Sequence, residues 1–575
     1  MYCMRYLTKK IYLILLFLLI LFFNTKIFAK DANLKYSREN VSNYFLGIVS
    51  LNENNTTSSF KYLEKVQTLK SIHSNYNANF IRTLILLEKF DQAFTFAKNL
   101  ENKNQLFFEA NLLLGLESLM AKDYLNAEKY FKEINEFSEY NLFFQDFLEN
   151  ALITWVKASQ KDKTNSFKFF SKIPIRYDNL KQIQNSFLQC YFDTSEVASS
   201  FINLAVNEKY SFSRYNFFLL NYFISKKNEA AAKLFISNDE NAYNSNLLIN
   251  QTKYFILSGE SKKITKLFDC KNPNDVIAEI FYVIANLYST EKKYQLSNFY
   301  LKISLLLNSK FTPNKTLLAE NFYNQKRYNL SKKTYNSLKK IGFIYSWHAS
   351  INSATILLNT QGKEKAILNL KKNFNLISNP SFRHYYDMAN FFKDNKYYKD
   401  SIKYYSLALE NIEPTNTLVA KILDRRGTSY ERLGNWKKAE KDLLESLKIS
   451  PDQPHVLNYL AYSWIEKEIN IDESLEMLRR ASKLRENDGY IIDSLGWAYY
   501  KNKNYAEAKK FLQKAVELMP LDPIVNDHYG DALWMLDNSI QARYFWKHAL
   551  SLDGAEEKLK DNINKKLIFG IVKNL

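Results

Sequence analysis

Breakers of regular structure are scarce in this chain: its 575 residues include only 12 glycines and 9 prolines. An all-β fold turns every few residues and draws on both, so the shortage points to long helices. Cysteine is scarcer still, at three, and neither Cys190 nor Cys270 has neighbours at metal-ligand spacing. The histidines number six, and none falls in an H-E-x-x-H motif or a Cys/His cluster. A Walker phosphate loop, a G-x-S-x-G elbow and a dinucleotide fingerprint are missing as well. Paired carboxylates such as Glu556-Glu557 sit in a mixed-charge stretch and read as a solvated face. No catalytic residue, no metal site and no cofactor is therefore assigned, and a protein that is not an enzyme is expected.

Large side chains are plentiful. The chain holds 40 Tyr and 42 Phe, enough to bury an extensive core, and this excludes disorder over most of its length. At 575 residues it exceeds what one compact core covers, so it must be several domains or a repeat array. The formal net charge is +19. Such an excess has two readings: an anionic partner, or composition drift with Lys, Asn, Ile, Phe and Tyr rising together. The lysines are spread along the chain, and no run is long enough for a nucleic-acid arm, so no nucleic-acid partner is expected.

The N-terminus reads as an address. Arg5, Lys9 and Lys10 precede an unbroken apolar run, Ile11 to Phe23, and polarity returns before Ala29. This is the layout of a secretory signal peptide, residues 1–29, with cleavage expected after Ala29. The apolar run has 13 residues, short of the roughly 20 that span a bilayer. The alternative is an uncleaved anchor in the inner membrane. No cysteine follows the run, so there is no lipobox.

Self-similarity is the strongest signal. Gly427, Ala461, Gly496 and Gly530 recur at spacings of 34, 35 and 34, each in a segment of helical character. Each is followed about twelve residues on by a second pattern: Ala439-x3-Leu443, Ser474-x3-Leu478, Ala508-x3-Leu512 and Ala542-x3-Trp546. Pro451, Pro520 and Pro523 close units, because proline lacks the N–H a helix needs to continue. Glycine inside a helix costs about 1 kcal/mol relative to alanine, so its return at one phase implies a steric demand. The demand is close approach of two antiparallel helices, with the large residue filling the space beside the small one. The same phase runs upstream more faintly, through Gly47, Ile81, Gly115, Leu219, Ala285, Ala319, Ala354 and Ala389, with weaker candidates near Thr154, Ser186 and Thr252, which gives roughly fifteen helix pairs in all.

The pattern resembles the tetratricopeptide repeat, most fully at Leu495-Gly496, Tyr499, Ala508, Leu512, Ala515 and Pro520. The resemblance implies an all-α, right-handed superhelical solenoid of antiparallel helix pairs. Expected boundaries are divergent repeats over 30–415, about four well-matched repeats over 416–553 and a capping helix over 554–575. Leu559, Ile563, Leu567 and Ile568 give that last helix one apolar face. In a stacked array Cys190 and Cys270, 80 residues apart, belong to different repeats. Bridged Cα atoms must come within about 7 Å, so no disulfide is expected.

In tetratricopeptide proteins the first helix of each pair lines a concave groove. Carried over by position, the groove residues are Asp424, Thr428, Glu431, Asn458, Tyr462, Ile465, Asp493, Trp497, Tyr500, Asp527, Asp531 and Trp534. Aromatics act as low-entropy anchors, and carboxylates select basic ligands or backbone N–H groups. The opposing reading is that Trp497 and Trp534 pack between repeats while Asp493 and Asp527 serve helix starts. The basic clamp that some family members use for acidic C-termini is not present. Leu457 to Leu550 further resembles exported tetratricopeptide proteins of proteobacteria, many of them lipoproteins, some of which serve envelope proteases or envelope assembly. The implied role is a protein- or peptide-binding scaffold in the periplasm. The alternative is a basic protein that binds anionic lipid or glycan on the envelope surface.

Overall fold

The computed structural model describes residues 37–71, 73–102, 105–135, 138–206, 213–238 and 246–571. The expected signal segment and Cys3 lie outside them. Among the described residues there are 31 α-helices, three short 3-10 segments and no strand. The helices form fifteen consecutive antiparallel pairs, from Arg38–Asn52 with Thr56–Leu63 to Pro523–Met535 with Ser539–Ser551, followed by a single helix, Glu557–Phe569.

The pairs cross where the small residues recur. A Cβ placed on Gly496 would lie 2.6 Å from Leu512 Cγ, and one on Gly530 would lie 2.5 Å from Trp546 Cδ1. The same clash recurs at Gly47 with Leu63 and at Gly115 with Phe131. Gly427 is looser, with Ala439 O and Leu443 Cγ both 3.1 Å away. In every case the partner is the large residue sixteen positions on. Glycine is thus present because the facing helix occupies the space a side chain would need.

Each pair turns through a corner residue with left-handed backbone, besides which Asn470, at the start of helix Ile471–Leu484, is also left-handed. The corner residues are Asn54, Glu88, Lys122, Lys161, Asp193, Lys227, Gly259, Lys292, Lys326, Gly362, Lys396, Gly434, Glu468, Lys503 and Asp537, with φ between 56° and 90°. At most of them the following N–H reaches back five residues, as from Asn504 to Tyr499 O (2.9 Å) and from Lys293 to Tyr288 O (2.9 Å). This closure satisfies the last carbonyls of the first helix. Only three of the fifteen corners are glycine, which is how so many turns fit with so few glycines.

The chain divides into two compact units, one running to Leu370 and one from Lys371 onward. In the first, pairs do not pack on sequence neighbours alone. Helix Tyr294–Leu307 is buried on nearly every side and packs against Ser74–Leu86, while Pro273–Thr290 packs against Gln145–Ser159. Phe299 meets Tyr140 edge to face at 4.7 Å, the Tyr300 hydroxyl donates to Tyr140 O, and Gln325 Nε2 donates to Asn54 Oδ1 (2.8 Å). One core cluster runs from Leu63 to Phe322. The first unit therefore winds round and fills its own interior, so a helix apolar on all faces finds cover there.

That closure overturns the expectation about the cysteines. Cys190 and Cys270 form a disulfide, with Cα atoms 6.1 Å apart. Phe187 and Phe268, each close to one cysteine, pack at 5.5 Å, and Lys271 Nζ donates to Tyr191 O (2.8 Å). Counting repeats along a straight stack misjudged a distance that the turn of the chain shortens.

Candidate functional site

The strip expected to line the groove lies on the first helices of four pairs in the second unit: Leu418–Arg432, Pro454–Glu466, Gly489–Lys501 and Pro523–Met535. Positions four apart on one helix share a face. Thr428, Glu431, Asn458, Tyr462, Trp497 and Tyr500 are partly exposed. Ile465 is fully buried in the core formed with Leu478 and Leu495, so it packs the repeats together.

The carboxylates are held by neighbouring repeats. Asp424 accepts from His455 Nε2 (2.9 Å), Glu431 from the Tyr459 hydroxyl (2.7 Å), and Asp493 faces His528 Nδ1 (3.1 Å). Thr428 donates to Asp424 O (3.0 Å) within its own helix. Burial pushes His528 toward its neutral form, but Asp493, Asp527 and Asp531 around it more than offset this, and its pKa is raised. The His528 ring stacks on Trp497 at 4.0 Å, and Trp497 stacks on Tyr500 at 4.7 Å. Trp497 Nε1 donates to Glu466 (2.7 Å) from the preceding repeat. The result is a flat aromatic shelf with the His528 imidazole stacked at one side and carboxylates around it.

At the far end the strip is covered. Helix Glu557–Phe569 brings Lys566 Nζ to Asp527 (2.8 Å) and Asp531 (2.7 Å). Trp546 Nε1 also donates to Asp531 (2.8 Å). Burial, then repulsion from Asp527, raises Asp531 to about 6 despite the lysine. Trp534 Nε1 donates to Ile571 O (3.0 Å), so its indole packs under the C-terminal segment. The twelve positions therefore separate: six are partly exposed, four acids are buried in bonds to the next repeat or to the terminal helix, Ile465 is core, and Trp534 is capped. Sequence reasoning missed His528, His455, Glu466 and Lys566. The only sequence signal was the sequence neighbourhood of His528 beside Asp527. Among the described residues no group of three or more His, Cys, Asp or Glu could hold a metal ion. Among the same residues no helix is long and apolar enough to cross a membrane.

Paired antiparallel helices with a small-against-large crossing every 34 residues or so define an α-helical repeat protein. Residues 420–453 and 491–522 match models of the tetratricopeptide repeat, so the chain carries tetratricopeptide repeats in its second unit. It is 31% identical over 88 residues to a TPR repeat-containing protein of Pseudomonas aeruginosa, a match covering 15% of each chain. Among solved structures it is similar to a chain of the APC/C hetero-tetramer Cut9-Hcn1, with 15% identity, TM-score 0.36, and coverage of 92% of this chain and 97% of that one. Yeast Tom70 gives 15% identity, TM-score 0.33, and coverage of 82% and 94%. MamA from Desulfovibrio magneticus gives 16% identity, TM-score 0.28, and coverage of 32% and 99%.

Proposed function

We propose that this protein is a scaffold of the bacterial cell envelope that holds a partner protein or peptide along the open strip of its second unit. One observation carries the reading: Tyr462, Trp497 and Tyr500 are partly exposed, and Trp497 is held in place by its bond to Glu466 of the preceding repeat and by stacking on Tyr500 and His528. A pre-ordered aromatic surface binds without the entropy cost of arranging itself. The acids at its ends favour an extended segment bearing lysine or arginine. An envelope protease or an assembly factor is the kind of partner this implies. Export is supported by the basic, apolar, small-residue order of residues 1–29 and, independently, by the disulfide, a bond that persists in oxidising compartments.

The test is cross-linking in cells and capture from envelope extracts, comparing wild type with a Trp497→Ala/Tyr500→Ala variant. The variant is expected to fold, since neither ring is fully buried, and to lose its captured partners. Equal capture would remove the strip from the mechanism. The +19 charge favours a second reading, attachment to anionic lipid or glycan. Capture that vanishes at high salt and ignores the double variant would support that reading instead.

A further inference from the structure

The closure of the first unit creates a cavity of about 450 Å³ where helices Tyr294–Leu307, Thr312–Asn324 and Tyr328–Leu338 meet the N-terminal pairs. Its floor is apolar, from Leu305, Leu318, Phe322 and Leu330. Its wall carries four cations, Lys302, Lys315, Arg327 and Lys333, against one carboxylate, Glu88. Lys302 is already paired with Glu88. Lys315, Arg327 and Lys333 form no ion pair among the described residues.

Arg327 is the telling member. Its guanidinium lies 5.2 Å from the centre of the Phe322 ring, at the corner between two helices. Burial pushes its pKa below the ordinary arginine value, and no nearby carboxylate opposes the shift. Partly burying an unpaired charge is costly, and structures normally answer it with a counter-charge. The protein supplies none here. Hydroxyls of Thr56, Thr334 and Ser337 add polar groups around the same opening.

We infer that this cavity binds a small amphiphilic anion, with a carboxylate or phosphate head against Arg327, Lys315 and Lys333 and a short aliphatic tail over the leucine floor. The volume falls within the range of small-ligand pockets, about 300–1,000 Å³. Arginine offers a fork of donors that suits either head group. The site belongs to the first unit and is independent of the strip in the second.

Isothermal titration of the full-length mature chain tests this with four probes: decanoate, decyl phosphate, octyl glucoside and inorganic phosphate. Expected is one-to-one binding of decanoate or decyl phosphate, with the uncharged glucoside and the tailless phosphate each about tenfold weaker or more. The stronger of the two anionic probes separates a free fatty acid from a lipid phosphate as the natural source. Arg327→Met with Lys333→Met keeps the apolar stems and should weaken the anionic probes by about tenfold or more. Should that variant fail to fold, Ser337→Trp, at the exposed rim, should block the cavity with its charges intact. Equal affinity for the glucoside, equal affinity for inorganic phosphate, or unchanged binding by whichever variant folds would overturn the inference.

Discussion

Replacing Gly496 with alanine sets two known effects against each other. Alanine favours a helix interior over glycine by about 1 kcal/mol. The new Cβ would sit 2.6 Å from Leu512 Cγ, 2.9 Å from Leu512 Cδ2 and 3.0 Å from the Leu512 backbone nitrogen. Leu512 is fully buried, so its branch point cannot swing aside. Overpacking of this kind costs about 1–3 kcal/mol, which leaves a net loss near 1 kcal/mol for alanine. Leucine at this position should cost several. Gly427→Ala is the control: its nearest contacts are 3.1 Å, so propensity and crowding should roughly cancel. The decisive variant adds Leu512→Ala to Gly496→Ala. Leu512→Ala alone should cost about 2–5 kcal/mol by leaving a cavity. In the pair, the methyl enters that cavity, and the double variant should be more stable than the sum of the singles by about 1 kcal/mol or more. Urea unfolding followed by tryptophan fluorescence suits the measurement, because five of the seven tryptophans lie in the second unit. An additive cycle, or equal losses at Gly427 and Gly496, would refute the crossing geometry.

Other perturbations test separate parts of the molecule. Lys566→Met leaves Asp527 and Asp531 facing each other without their cation and should destabilise the second unit by about 3–5 kcal/mol near neutral pH. Lys566 holds the Asp531 pKa down to about 6, so without it Asp531 takes up its proton above that value; the deficit should shrink as pH falls toward about 6 and level off below it, and a pH-independent deficit would exclude the carboxylate pair as its cause. Removing the disulfide with Cys190→Ala and Cys270→Ala opens a loop of 80 residues and should cost the first unit about 4 kcal/mol on the chain-entropy account, leaving the second unit's transition unmoved. His348 and His384 are lowered by burial from 6.5 to about 4, and Arg383 adds repulsion at His384. Between those values the unfolded chain binds protons that the folded chain does not. Stability is therefore full above pH 6.5 and drains away toward pH 4, by on the order of 3 kcal/mol per histidine. His348→Gln should flatten that slope in the first unit's transition; an unchanged slope would acquit the residue.

The register of helix pairs was legible because it is written in sterics. A missing side chain at Gly496 and a large one at Leu512 mark the same crossing from both sides, and both lie within one repeat. The helix beginning at Glu557 was legible for a similar reason, since the spacing of Leu559, Ile563 and Leu567 displays its packed face, although Ile568, expected on the same face, is exposed. What escaped depends on contacts between distant segments. The helix Tyr294–Leu307 reads much like any buried helix, and nothing in its composition says that Tyr140 and Ser74–Leu86 will be its neighbours. The disulfide failed for that reason alone. Within the strip, side-chain type was readable but its neighbour was not. Tyr500 and Trp534 occupy the same phase of the repeat, yet one stacks on Trp497 in the partly exposed strip and the other is roofed by Gly570 and Ile571.

Twelve of the fifteen corners ask an ordinary L-residue, lysine in seven of them, to hold a left-handed backbone. Each such corner forgoes about 1 kcal/mol that glycine would not, less what glycine loses through its freer unfolded chain. Small penalties of one sign, repeated along an array, set how warm the whole can run. Heat tolerance in this molecule is therefore adjustable at its bends, one residue at a time, without disturbing a core contact or the aromatic strip of the second unit.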